Sequence, residues 1–222
     1  MTANGLLLKH FFVKGMFRCS IREAFFIKTA FRSCILVSLT TPVADFGLSP
    51  PDFCLPGVDG RDWTLSQCMG ENGLLVMFIC NHCPYVIAVR DRIVRDTNEL
   101  KNFGIASVAI MSNDSAAYPE DSFANMQRIA ENCQFGFPYL LDDSQAVAKA
   151  YGAVCTPDFF GYHVTNGLQY RGRLDASRKQ AAPADTIRDL FTAMKGIAVN
   201  GKGPVEQIPS IGCSIKWKPD SL

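Results

Sequence analysis

The chain has 222 residues, enough for one domain with extensions and a single sizeable core. With 22 basic against 21 acidic side chains and a formal charge of +1, it lacks the clustered positive field that recognition of nucleic-acid phosphates requires. Nine cysteines at irregular spacings do not form the framework of a small secreted domain. A reducing compartment fits them best, most of them as small core hydrophobes.

Residues 1–44 differ from the rest. Lys9, Lys14, Arg18, Arg22, Lys28 and Arg32 face a single acid, Glu23. The apolar runs at 6–8 and 35–37 are far shorter than the roughly 18 residues a membrane span needs, so no transmembrane segment is expected. Three readings fit: a basic, acid-poor targeting presequence, an over-long start with Met16 or a later codon as the genuine one, and a helical appendage. A secretory signal fits less well, because Pro42-Val43-Ala44 is a poor small-residue cleavage site. The segment is read as an appendage that adds little to the fold. The expected compartment is the cytoplasm, with organelle targeting or export through residues 1–44 as the alternative.

From Asp45 the pattern becomes regular, giving a domain over 45–200 and a C-terminal tail over 201–222. Residues 57–60 read as a hairpin turn, and 74–79 as an unbroken apolar strand buried on both faces. An amphipathic helix over 84–100 follows, carried by Val86, Val89, Ile93 and Leu100. Residues 105–111 form a second buried strand. A helix opens at Pro119-Glu120-Asp121, its acids suiting the positive end of the dipole. A short strand at 139–141 leads to a helix over 145–151. Asn166-Gly167 marks a type I′ hairpin between strands 159–164 and 168–173. A last helix over 184–195 presents Ile187, Leu190, Phe191 and Met194 on one face. Strands joined by helices, then a hairpin, then a helix describe a mixed central α/β sheet with helices on both faces.

The chemistry centres on Cys80-Asn81-His82-Cys83-Pro84. Cys80 ends the buried strand and Cys83 opens the helix, at the carboxyl edge where open α/β sheets bind ligands. Free N–H groups and the helix dipole favour a thiolate there, and Pro84 suits the first helical turn. A nucleophilic cysteine needs this placement.

The segment Ser49-Pro50-Pro51-Asp52-Phe53-Cys54-Leu55-Pro56 with Gly60, the strand into Cys80-Asn81-His82-Cys83-Pro84-Tyr85-Val86, Thr156-Pro157 before Phe159, and Tyr170-Arg171-Gly172-Arg173-Leu174-Asp175 resemble, in this order, the alkyl hydroperoxide reductase/thiol-specific antioxidant (AhpC/TSA, redoxin) branch of the thioredoxin-like superfamily. The resemblance spans roughly 45–195, and residues 212–217 resemble the tail of a redoxin subgroup. It implies the thioredoxin fold, Cys83 as the attacking thiol, Pro157 as a cis-proline opposite it, and Thr156 as a backbone platform for substrate. It also implies that Arg173, or Arg171, holds the thiolate. The sequence departs from the family at Val76 and Cys80, where a peroxiredoxin carries Pro and a Thr or Ser hydroxyl, and at Val86, where thioredoxin places its second cysteine. The second thiol is Cys80 instead.

His82 is placed to shuttle a proton or to tune the dithiol. Cys155, beside the cis-proline loop, and Cys213, in the tail, are further redox candidates; Cys19, Cys34, Cys54, Cys68 and Cys133 read as packing residues, and His10 and His163 have no supporting context. The function expected is a thiol-disulfide oxidoreductase or peroxiredoxin-like antioxidant protein working through Cys80 and Cys83. It needs no cofactor or metal, takes a disulfide or peroxide substrate, and is reduced by an external thioredoxin-like or low-molecular-weight thiol. The alternative is a non-catalytic module that binds a partner, or zinc or copper through Cys80, Cys83, Cys155, Cys213 and His82.

Overall fold

A computed structural model describes residues 37–219 apart from Val43, all within one compact unit, Ile35–Leu222. The expectations for residues 1–36, with His10, Cys19 and Cys34, lie outside the described residues. In chain order the elements are β1 (Ser38–Thr40), β2 (Cys54–Pro56), β3 (Asp62–Thr64), α1 (Leu65–Cys68), β4 (Gly73–Phe78), α2 (Pro84–Leu100) and β5 (Ile105–Met111). They continue with α3 (Phe123–Asn132), β6 (Tyr139–Leu141), α4 (Ala146–Tyr151), β7 (Cys155–Thr156), β8 (Asp158–His163), β9 (Gly167–Tyr170), α5 (Asp189–Asn200) and β10 (Ile211–Ser214).

The main sheet runs β6-β5-β4-β8-β9, with β4, β5 and β6 parallel and β8 and β9 antiparallel. All six residues of β4 are buried. Side chains alternate along a strand, so Leu75 and Met77, continued by Ile79, join the core under α2 and α5, while Leu74, Val76 and Phe78 join the core under α1 and α4. Helices therefore cover both faces, and β4 delivers the dithiol segment at the sheet's carboxyl edge.

Four sequence-based expectations change. The last helix begins at Asp189 rather than 184, because a turn closed by Thr186 N–H on the Pro183 carbonyl (3.1 Å) occupies the preceding residues and leaves Ile187 exposed. The β8–β9 loop is three residues, 164–166, instead of an Asn-Gly turn. Gly167 pairs with His163 at a φ of +67°, and a side chain on it would meet the Gly47 carbonyl. Of the described cysteines read as packing residues, Cys68 is buried, but Cys54 is exposed on the outer side of β2 and Cys133 is half-buried at the end of α3. Finally, the described end of the first segment, from residue 37 on, and the tail both belong to the fold. Strand β1, from the first segment, pairs antiparallel with β10, from the last, and β10 pairs with β7, giving a second sheet β1-β10-β7.

Candidate active site

Cys83 is the N-cap of α2 with extended backbone (φ −66°, ψ 122°), and Pro84 follows at the first helical position. The segment that carries it is fastened by buried polar groups. Asn81 N–H donates to Asp121 Oδ1 (2.8 Å), Asn81 Nδ2 donates to the Glu120 carbonyl (3.0 Å), and the Tyr139 hydroxyl donates to Asn81 Oδ1 (3.0 Å). Asp121 is fully buried, and its Oδ2 accepts from Asn113 Nδ2 at 2.8 Å. The same oxygen lies 2.8 Å from His82 Nδ1, close enough for an ion pair though off the line of a straight hydrogen bond. His82 stacks flat on Tyr118 (5.6 Å, 2°), and Asp121 holds its pKa above the usual imidazole value.

Thr156 and Pro157 face this segment across a cis peptide bond. The Thr156 hydroxyl lies 3.3 Å from Cys80 Sγ, and its carbonyl lies 3.0 Å from Cys83 Sγ. β10 covers them: Cys213 pairs with Thr156 and Ser214 with Cys155. Cys80, Cys83 and Cys213 thus meet at one point, all less than 5% exposed. The reactive edge predicted from the sequence is closed by the chain's own C-terminal strand.

Donors converge on Cys83. The Cys213 thiol makes the largest contribution, then the Cys80 thiol, then the Thr156 hydroxyl, and together they hold Cys83 well below the ordinary thiol range against the opposing effect of burial. The Val86 amide in the first turn of α2 adds a weaker pull without reaching capping geometry. The contact with the Thr156 carbonyl is one that a thiol makes as donor and a thiolate cannot, so ionisation weakens it. Cys80 and Cys213 shift the opposite way, each held protonated first by donating to Cys83 and then by burial. The helix start, expected to dominate, ranks behind the neighbouring thiols.

Arg173 Nε is engaged by Asp189 at 2.6 Å, and Arg171 is buried on Asp158 at 3.0 Å, so both predicted thiolate holders have other partners. Arg173 does line a cleft of about 200 Å³ beside the cis-proline, with Tyr85, Val89, Leu174 and Ile211. Cys155 Sγ points to the Pro157 carbonyl (3.7 Å), and burial pushes its thiol up. His163 Nδ1 accepts from the Thr165 and Asn166 amides and shapes the β8–β9 loop. Asp121, Asn113 and Tyr139 were not singled out in the sequence. Asp121 read as a dipole-stabilising acid, whereas it ends a short 3₁₀ turn, Pro119–Asp121, as the one residue of the turn that is buried. Cys80, His82 and Asp121 place a sulfur, a ring nitrogen and a carboxylate oxygen within 4.8 Å of one another, which makes them, among the described residues, a group that could hold a metal ion.

The AhpC/TSA family model matches residues 47–176, more than half of the chain. No curated protein matches the sequence. Among solved structures, an uncharacterized conserved protein from Geobacillus kaustophilus is 42% identical, covering 82% of this chain and 97% of its own, with a TM-score of 0.78. A hypothetical protein from Sinorhizobium meliloti 1021 is 38% identical, covering 81% and 98%, at a TM-score of 0.77. Peroxidoxin BcpB from Mycobacterium tuberculosis shares the fold at 17% identity, covering 70% and 96%, at a TM-score of 0.51. The chain belongs to the AhpC/TSA family, the redoxin branch of the thioredoxin-like superfamily, and its role is a thioredoxin-like redox one.

Proposed function

We propose that the protein is a thiol oxidoreductase in which Cys83 is the attacking thiolate and Cys80 the resolving thiol. The observation that carries this reading is the meeting of Cys80 and Cys83, at the start of α2, with Thr156 of the cis-proline loop, whose hydroxyl touches one sulfur and whose carbonyl touches the other. Toward a disulfide, the Cys83 thiolate forms a mixed disulfide and expels one half as thiolate. Cys80 then attacks the Cys83 sulfur, the departing thiolate takes the Cys80 proton, and a Cys80–Cys83 disulfide remains. Toward a hydroperoxide, Cys83 takes the terminal oxygen and becomes a sulfenic acid as the alcohol leaves; Cys80 then displaces water. An external dithiol or two low-molecular-weight thiols return the two electrons. The burial of both sulfurs favours small substrates.

The test is single-turnover kinetics of reduced protein with hydrogen peroxide and, separately, with a small disulfide, followed by mass spectrometry of the linked cysteines. Cys83→Ser should abolish both reactions. Cys80→Ser should leave the first step intact and stop the sequence short of its Cys80–Cys83 end product. Full turnover of Cys83→Ser with both substrates would refute the reading.

The grouping of Cys80, His82 and Asp121 supports a second reading, a metal-binding module. Stoichiometric zinc or copper in freshly purified protein, with no dithiol activity, would select it.

A further inference from the structure

The tail cysteine stands where a reaction partner of Cys83 would stand. Strand β10 runs antiparallel to β7, with Cys213 opposite Thr156, the residue whose carbonyl touches Cys83 Sγ and whose hydroxyl touches Cys80 Sγ. Cys213 is buried in the same core cluster as Cys80 and Cys83, and its thiol is the largest influence lowering the Cys83 pKa. The placement is enforced from both sides. Gly212 lets β10 approach closely, since a side chain there would meet the Thr156 carbonyl, and β1 pairs the opposite edge of β10. Beyond the strand, the chain is stitched over the sheet's end by Ile215 N–H to the Val154 carbonyl (3.1 Å), Lys216 N–H to Asn113 Oδ1 (2.9 Å) and Asp114 N–H to the Lys216 carbonyl (2.8 Å).

We infer that Cys213 is a second resolving thiol within the same chain, and that oxidation by a small hydroperoxide forms a Cys83–Cys213 disulfide that fastens the C-terminal strand to the start of α2. The inference rests on Cys83 as the attacking thiol. Hydrogen peroxide and the Cys83 thiolate, with one proton, give Cys83 sulfenic acid and water. The Cys213 thiol then attacks that sulfur, forming the disulfide and releasing a second water. Exchange with Cys80 converts this into the Cys80–Cys83 disulfide: Cys80 bonds to Cys83, Cys213 leaves, and the Cys80 proton passes to Cys213. Both partner thiols lie against the same residue as Cys83: Cys80 touches the Thr156 hydroxyl and Cys213 pairs with Thr156 across the strands.

The test uses the full reduced chain, treated with equimolar hydrogen peroxide, quenched by alkylation at successive times, and mapped by mass spectrometry without reduction. In Cys80→Ser, Cys83–Cys213 should be the dominant linkage, with alkylation of Cys213 lost in step with that of Cys83. In the unsubstituted chain the same linkage should appear in the first turnover and decay into Cys80–Cys83. Oxidation of Cys83 with Cys213 fully alkylated at every time, in both proteins, overturns the inference while leaving the functional reading intact. If Cys83 itself is not oxidised, the functional reading falls and this inference with it.

Discussion

The groups that lower the Cys83 pKa can be removed singly. Replacing Cys213 by Ala or Thr156 by Val deletes one donor to the sulfur, so each should raise the Cys83 pKa, Cys213→Ala by more. Ultraviolet thiolate absorbance against pH, with Cys83→Ser as baseline, measures this directly; a parent transition at the ordinary thiol value near 8.5 would refute it. Because the folded-state value is depressed, ionised Cys83 contributes stability above the unfolded thiol's pKa. That contribution is lost as pH falls toward the folded value. His82 has the opposite sign. Its folded value is raised, so its pairing with Asp121 stabilises the fold below the unfolded imidazole pKa and fades as pH rises through the folded one. Asp121→Asn should therefore lower the His82 titration midpoint in an NMR titration, and an unchanged midpoint would exclude Asp121 as the cause. The places of Cys80 and Cys83 were legible in the sequence because strand end and helix start each leave a local mark, and that of Pro157 through the family resemblance. Asp121 was not, because its partners Asn81 and His82 lie about 40 residues away along the chain and no periodicity records which way a turn residue faces.

Strand β10 is the element the sequence concealed. It follows Gly201, Gly203, Pro204 and Pro209, residues that read as loop, and its four residues are too few for an alternating pattern to register. The long elements β4, α2 and β5 were legible for the opposite reason: each spans several turns or alternations with one continuous burial pattern. What specifies β10 is tertiary, namely the fit of Gly212 against Thr156. Gly212→Ala would place a methyl 2.1 Å from the Thr156 carbonyl oxygen, a backbone atom that cannot step aside. Overpacking of this kind costs about 1–3 kcal/mol. If that cost falls on the docking of β10, Cys83 should be alkylated roughly 10- to 100-fold faster, at about tenfold per 1.4 kcal/mol, with the rest of the fold intact by circular dichroism. An unchanged alkylation rate would show that reagent reaches Cys83 by another route.

At the scale of the whole molecule, the two ends of the described chain meet over the reactive edge, and the first supports the last. β1 pairs Ser38, Leu39 and Thr40 with Cys213, Gly212 and Ile211, and the contact extends through Ser214 N–H to the Val37 carbonyl (2.8 Å) and Thr41 N–H to the Ser210 carbonyl (3.1 Å). Ser38 also meets the Tyr85 hydroxyl (3.1 Å) in the first turn of α2, next to the N-cap thiol. A net hydrogen bond in water is worth about 0.5–1.5 kcal/mol, so this short ladder suffices to shift the opening of β10 measurably, though not to unfold the five-stranded sheet. Two shortened chains separate these effects. One begun at Ile35 keeps all of β1 and should protect Cys83 from alkylation as well as the full chain does. One begun at Ala44 lacks β1, leaves β10 paired only to β7, and should lose protection by roughly tenfold, about 1.4 kcal/mol, while still unfolding cooperatively. Equal protection in both shortened chains would mean that β7 and the stitches at Ile215 and Lys216 hold the C-terminal strand unaided, and that β1 has no part in controlling access to the thiols.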